Sequence, residues 1–193
     1  CAMETSRALV VGVENYHRVT KVAYARADAI AVAKALRALG ADVEEVLDPT
    51  SAGLGVACKQ FLARAGSEKR YIFFAGHGIS DGYHSYLCGV DLDTSDAPAT
   101  SFRVGTLLAY GQSSSSKRLV VFLDACHTGL VNPGDMRGAA APPDAQELGK
   151  FFTVFASSRI DQKSYGVRTL GHGAWTHHLV RALTGAEPGL LRD

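Results

Sequence analysis

The chain has 193 residues, of which 47% are hydrophobic and 20% charged, and its formal net charge is +1. This length and composition fit one folded domain with a sizeable core and exclude a disordered chain. Without a basic run or a long apolar run, the sequence gives no indication of nucleic-acid binding or of a membrane-spanning helix. Its first residues lack the apolar segment of a secretory signal. The four cysteines show no zinc-type spacing, so we expect reduced thiols in a cytoplasmic protein without a metal site.

Strand and helix patterns alternate in the first half of the chain. Residues 7–13 form a buried-strand pattern, 25–39 an amphipathic helix, 41–47 a second strand and 55–65 a second helix. A third apolar strand pattern follows at 71–74. This order favours a parallel sheet with helices on its faces, so the fold class that we predict is α/β.

The second half contains more loop. Residues 79–100 carry short apolar runs separated by Gly, Asp and Ser, which indicates a β-hairpin at the sheet edge. The remaining predicted elements are a short helix, two buried strands and a closing amphipathic helix, over residues 104–110, 119–123, 151–156 and 173–183. Because no internal repeat or domain boundary is evident, we predict a single domain over residues 1–193.

Two buried strands run directly into residues that can do chemistry. The strand at 71–74 leads into Ala-Gly-His-Gly with His77, and the strand at 119–123 leads into Asp-Ala-Cys-His with Cys126. If these strands are neighbours in a parallel sheet, His77 and Cys126 meet at the carboxyl edge, where open α/β sheets place their ligand chemistry. A cysteine nucleophile and its general base need this arrangement. The backbone amides of Gly78 and Cys126 are candidate donors to an oxyanion.

Each of these residues also has a structural interpretation. A cysteine such as Cys126 is usually a small inert hydrophobe, and a lone histidine such as His77 is usually structural. His127 is adjacent to Cys126, but neighbouring side chains in an extended segment diverge, so adjacency does not favour a base. A zinc site there would need a fourth ligand, and none is evident. Cys58 and Cys88 lie inside a helical and a strand pattern, which indicates structural roles.

Residues 71–78 read YIFFAGHG and residues 120–129 read VVFLDACHTG. These blocks resemble the two signature blocks of the caspase-like cysteine peptidases. The closest branch is the prokaryotic caspase homologues and metacaspases, whose second block reads D-x-C-x-[ST]-G. Cys126 follows His77 by 49 residues, close to the separation of about 50 in caspases. The family also has segments similar to those at 9–16, 27–29, 155–158 with Gln162, and 173–177.

The resemblance covers about the whole domain. It implies a three-layer α/β/α sandwich around a mostly parallel six-stranded sheet. It also implies a catalytic dyad of Cys126 as nucleophile and His77 as base.

The branch also implies a substrate preference. True caspases have Gln two residues before the cysteine and hold a P1 aspartate with basic residues, whereas this chain has Asp124 there. In metacaspase-like enzymes this Asp and a second one, here Asp28, line the S1 pocket and bind P1 arginine or lysine. A carboxylate pair attracts a cation, and a planar guanidinium can bond to two of its oxygens. Relatives often have a Ser where this chain has Ala75 and a Cys where it has Ala25. The alternative to a pocket role for Asp28 is that it is an exposed residue of the helix.

Calcium-dependent metacaspases carry an Asp-Asp pair after the His block and an Asp seven residues after the Cys. The corresponding stretches here are Ser-Phe-Arg at 101–103 and Pro133. Asp91, Asp93 and Asp96 are spaced like oxygen ligands, but no EF-hand-type Gly and Glu follow. We therefore predict no calcium requirement and no other cofactor.

Residues 132–150, NPGDMRGAAAPPDAQELGK, are the most loop-like part of the chain. Such a long connection is usually functional or disordered, and its composition predicts easy nicking. In this family the corresponding connection separates the large and small subunits and is cut in many relatives. Arg137, followed by the small Gly138, suits an acidic pocket. Lys150 adjoins the next predicted strand, which would have to be pulled loose, so we predict self-cleavage between Arg137 and Gly138.

The leading hypothesis is a cysteine endopeptidase that cuts proteins after Arg, then Lys. By analogy with prokaryotic relatives, it would act in a regulated bacterial signalling, defence or cell-death system. The alternative is a non-catalytic caspase-like interaction module, which would need neither His77 nor Cys126. A flavodoxin-like nucleotide-binding domain is weakened because GVEN at 12–15 is not a phosphate-binding loop. Further domains or an activating partner remain open.

Overall fold

The computed structural model describes residues 6–66, 69–81, 83–116, 118–126, 151–156, 166–167 and 172–186. Within them the strands are β1 (Ser6–Gly12), β2 (Asp42–Leu47), β3 (Lys69–Ser80), β4 (Ser85–Leu87), β5 (Phe102–Arg103), β6 (Arg118–Cys126), β7 (Phe151–Ala156), β8 (Gly166–Val167) and β9 (His172–Gly173). The helices are α1 (Ala25–Ala38), α2 (Ser51–Ala63), α3 (Val104–Ser113) and α4 (Ala174–Leu183). None of the helices in these ranges is both long and apolar enough to cross a membrane.

The main sheet of the described residues is mixed and has seven strands. Five strands run parallel in the order β2-β1-β3-β6-β7, and β4 and β5 pair antiparallel beyond β3. This corrects the mostly parallel, six-stranded sheet that the resemblance implies. The physical reason is that β3 continues past His77 to Ser80, where the hairpin predicted in 79–100 returns as β4 and adds antiparallel strands.

Helices cover both faces of this sheet. On one face α1 and α4 lie against an apolar cluster built from alternate residues of β1, β3 and β6: Ala8, Val10, Phe73, Ala75 and Phe122. On the other face α2 and α3 bury the residues in between: Leu9, Val11, Ile72, Phe74, Val121 and Leu123. The apolar strand patterns thus reflect burial on both faces, and the helices lie as in an α/β/α arrangement.

The helix α2 begins at Ser51, four residues before the helix that the sequence predicts. Two glycines there weaken the helical pattern, but Thr50 caps the helix because its side chain accepts the Gly53 N–H at 3.1 Å. Gly55 also leaves room for the ring of Phe102 on β5, since an added Cβ would lie 3.2 Å from that ring. Capping and packing therefore outweigh the low helix propensity of glycine.

The first turn of α1 packs tightly against the end of β1. A Cβ on Gly12 would lie 2.6 Å from the Ala25 carbonyl oxygen and 2.8 Å from the Ala29 Cβ, so a larger residue would force the helix away. This close approach places Asp28, in the same helical turn, over the carboxyl edge of the sheet.

Candidate active site

The register of β3 and β6 makes His77 and Cys126 direct neighbours. They are the last Cα pair of this parallel ladder, at the carboxyl end of both strands. Neighbouring strands lie roughly 4.8 Å apart, so the two backbone positions are adjacent. The structure thus brings these two positions together where the sequence analysis expects them.

The imidazole of His77 is held through one of its nitrogens. Its Nε2 lies 2.8 Å from the backbone carbonyl oxygen of Thr20. A carbonyl oxygen only accepts, so Nε2 carries the proton and, in the neutral ring, Nδ1 carries the lone pair that can take up another. Sequence reasoning missed Thr20, because a backbone carbonyl carries no signal of residue type.

Tyr16, in the loop after β1, contacts both the ring and the backbone of His77. Its hydroxyl accepts the His77 N–H at 2.7 Å and donates to the Cys88 carbonyl at 3.1 Å. The ring centroids of Tyr16 and His77 are 4.6 Å apart with planes inclined by 52°. Tyr16 has no role in the predictions made from the sequence, although this residue ends the block at 9–16 that resembles the family.

The direction of the Gly78 amide follows from the pairing of its neighbours. Peptide groups alternate between the two sides of a strand. The Val13 N–H donates to the Ala75 carbonyl at 2.8 Å, so Ala75 and, two residues later, His77 direct their peptide groups to the β1 side. Gly78 therefore directs its N–H to the opposite side, where β6 ends at Cys126.

Asp28 and Asp124 come together although they are far apart in sequence. Their exposed fractions are only 3% and 7%. A Cβ placed on Gly173 would lie 2.9 Å from Asp28 Oδ2 and 3.1 Å from Asp124 Oδ2, so the two carboxylates converge on one point. The alternative interpretation of Asp28 as an exposed helix residue is therefore wrong.

Two residues near α4 donate to these carboxylates. The backbone N–H of Gly173 lies 3.1 Å from each oxygen of Asp28. The Thr176 hydroxyl donates to Asp124 Oδ2 at 2.6 Å. Neither donor was identified in the sequence, but both lie in the block at 173–177 that resembles the family. They give the acids polar contacts in a site where Ala25 and Ala75 carry none.

The carboxylate of Asp48 holds the loop after β1 in place. Its Oδ1 accepts the N–H groups of Glu14 and Asn15 at 2.7 and 3.0 Å, and its Oδ2 accepts the Asn15 side chain at 2.7 Å. Burial alone would raise the pKa of Asp48, but these hydrogen bonds and the nearby Arg26 charge outweigh it and lower the pKa. Asp48 thus stays ionised at neutral pH and holds the loop that carries Tyr16.

The other cysteines of the described chain, Cys58 and Cys88, are 1% and 0% exposed. Burial raises the pKa of Cys58 to about 12. Burial also raises the pKa of Cys88 to about 11, against a smaller opposing effect of a hydrogen bond from Ser101. Both remain neutral thiols at pH 7, the form that does not act as a nucleophile.

Within the ranges that the structure describes, no three His, Cys, Asp or Glu side chains cluster as metal ligands. Asp91 accepts the Ser51 N–H at 2.7 Å, and Asp93 accepts the Ser95 N–H at 3.0 Å. The linker at 132–150, with Arg137 and Gly138, lies outside the described residues.

The sequence was compared with models of known protein families and with curated proteins. A family model described as a caspase domain matches residues 5–192. No curated protein matches the chain. The family match spans nearly the whole sequence, so it does not depend on the two blocks around His77 and Cys126 alone.

Proposed function

The chain belongs to the caspase-domain family of cysteine peptidases, and we propose that it is an endopeptidase that cuts proteins after arginine and, more slowly, after lysine. The observation that carries this proposal is the convergence of the buried Asp28 and Asp124 carboxylates on one point. Asp124 lies two residues before Cys126 on β6, so the acid pair is at the same sheet edge as the His77–Cys126 pair.

In the proposed reaction, Cys126 is the nucleophile and His77 the general base. The thiol proton passes to His77, and the sulfur attacks the scissile carbonyl carbon. The developing oxyanion accepts hydrogen bonds from the amides of Gly78 and Cys126, a role supported by the direction of the Gly78 N–H. His77 then protonates the leaving amine as the C–N bond breaks. Water hydrolyses the resulting thioester, which releases the acid product and restores the thiol.

The Thr20 carbonyl suits His77 to this role. The imidazolium that forms during the reaction has two N–H donors, and the one at Nε2 already has an acceptor at 2.8 Å. This contact stabilises the charged ring and keeps Nδ1 as the nitrogen that exchanges the proton. It requires no ionisable third residue.

The acid pair would hold the P1 side chain. A guanidinium has five N–H donors in a plane and can reach both carboxylates, whereas a lysine ammonium is a compact charge with three donors. A P1 aspartate would be repelled by both acids. Because the carboxylates are almost fully buried, water screens these interactions little.

A set of fluorogenic peptides that differ only at P1 tests this function. We expect kcat/KM for P1 Arg to exceed that for Lys by about 10-fold, because the guanidinium makes two-pronged contacts, and little cleavage of the Asp peptide. Faster cleavage of the Asp peptide would contradict the assigned pocket. If no peptide were cut, the alternative of a non-catalytic interaction module would gain support.

By analogy with prokaryotic relatives, we propose that this peptidase acts in a regulated bacterial signalling, defence or cell-death system. Its cysteine usage favours the cytoplasm.

We also propose that the protein cuts itself between Arg137 and Gly138. Arg137 is the one arginine in the linker at 132–150, and Gly138 offers little obstruction on the primed side. Purified protein should slowly yield two fragments, while Cys126→Ala should stay intact. Arg137→Gln should abolish the cut, and Lys150→Gln is the matched control that should not. Intact-mass analysis checks this prediction, and a cut elsewhere, or in Cys126→Ala, would contradict it.

A further inference from the structure

The strand β3 changes partners at His77. On the β1 side, β1 ends with the pair Gly12–Ala75, and β4 begins only with the pair Gly78–Leu87. His77 directs its backbone N–H and carbonyl into the gap between these two partner strands. The carbonyl accepts the N–H of Cys88 at 3.0 Å. The N–H needs an acceptor as well, because leaving a buried peptide group without one is costly.

The Tyr16 hydroxyl fills this gap. It accepts the His77 N–H at 2.7 Å and donates its own proton to the Cys88 carbonyl at 3.1 Å. A hydroxyl can do both at once, which a phenylalanine ring cannot. Tyr16 is only 6% exposed. An added Cβ on Gly76 would lie 2.8 Å from the Tyr16 hydroxyl, so the glycine leaves room for it.

The same loop also supplies the acceptor for the imidazole. Tyr16 and Thr20 lie on the segment between β1 and α1, which is joined to the sheet region by hydrogen bonds from Val13 N–H to Ala75 at 2.8 Å and from His17 N–H to Val90 at 2.9 Å. The Tyr16 ring lies beside the imidazole, and the Thr20 carbonyl binds its Nε2. Loss of the hydroxyl would therefore loosen the backbone of His77 relative to the carbonyl that selects its tautomer.

We propose that Tyr16 is a positioning residue for the proposed general base. It fixes the His77 backbone on the β1 side of β3, in the gap between the ends of β1 and β4, and thereby keeps the imidazole in the Nε2–H form. This inference rests on the proposed function of His77, although the contacts that motivate it do not.

The variant Tyr16→Phe tests the proposal because it keeps the ring and removes only the hydroxyl. We expect kcat to fall about 10- to 100-fold while KM stays within about 2-fold, since substrate contacts are unchanged but the proton transfer is misaligned. In ¹⁵N spectra of the histidine rings, the His77 signals, assigned by their loss in His77→Ala, should change from the Nε2–H pattern to a mixture of tautomers. Unchanged kcat and unchanged signals would overturn the proposal.

A matched control separates positioning from stability. Tyr86 is 7% exposed and its hydroxyl donates to Asp81 Oδ2 at 2.8 Å. Tyr86→Phe should lower the melting temperature by a similar amount without changing kcat or the His77 signals. An equal loss of kcat in both variants would overturn the proposal in favour of a general effect on stability.

Two further variants keep the outcomes distinct. If Tyr16→Phe fails to fold, Gly76→Ala crowds both the Tyr16 hydroxyl and the Phe74 ring without removing either. It should lower kcat and mix the His77 tautomer signals, and full activity with unchanged signals would overturn the proposal. If His77→Ala retains activity, the proposed function of His77 itself fails. If His77→Ala is inactive and Tyr16→Phe is fully active, only the positioning role fails.

Discussion

Cys126→Ala and His77→Ala should each reduce peptide cleavage by about 10³-fold or more, because each removes one half of a unit that acts together. Neither change should unfold the protein. The described sheet and both apolar clusters are built from other side chains. Steady-state cleavage of a P1 Arg peptide, together with thermal unfolding, measures both effects.

Two control variants match these changes. Cys58→Ala removes a buried thiol of α2, on the sheet face that α2 and α3 cover. This change should lower stability while leaving kcat unchanged. His178→Ala removes an exposed histidine on α4 and should alter neither. Substantial turnover by Cys126→Ala would contradict the assignment of the nucleophile, and loss of activity in the Cys58 variant would show that stability limits the assay.

Asp124→Asn should lower kcat/KM for a P1 Arg peptide by about 10²-fold, because a buried cation would lose one of its two carboxylates. The asparagine keeps the shape of the side chain and can still accept the Thr176 hydroxyl. The substitution should therefore weaken only the recognition of the positive charge at P1. The ratio of kcat/KM for P1 Arg to that for P1 citrulline, its neutral analogue, should therefore fall steeply in the variant.

Gly173→Ala tests the same pocket without removing a charge. Its added methyl group would lie 2.9 Å from Asp28 Oδ2 and 3.1 Å from Asp124 Oδ2, so it should push the acids apart and lower cleavage after Arg. Asp42→Asn, an exposed acid on β2, is the control and should change nothing. An Arg-to-citrulline ratio that stays at the wild-type value in Asp124→Asn would contradict the proposed pocket.

The proximity of His77 and Cys126 could be predicted from the sequence because it depends on local patterns. Each residue follows a run of apolar residues that only a strand buried on both faces explains. Alternating helices then require those strands to run parallel, so both carboxyl ends lie at one edge. The sequence left the burial of Asp28 open, and the structure shows that Asp28 lies on the same buried face of α1 as Ala25 and Val32.

Features that depend on strand pairing between distant segments, or on backbone atoms, could not be predicted from the sequence. The extension of β3 through Ser80 depends on β4, and the Gly-rich sequence there argues against a strand. Thr20 acts through its carbonyl, which every residue has. Gly173 matters for the space that it leaves between two carboxylates, and β8 and β9, of two residues each, are too short to form a periodic pattern.

The most direct test of the account is covalent trapping with a peptidyl chloromethyl ketone that carries Arg at P1, followed by intact-mass analysis and peptide mapping. We expect one adduct per chain, on Cys126, through attack of its sulfur with loss of chloride. We also expect slower modification by the matched ketone with P1 Asp, and slower modification of the His77→Ala variant. An adduct on Cys58 or Cys88, no adduct at all, or faster modification by the Asp ketone would contradict the account.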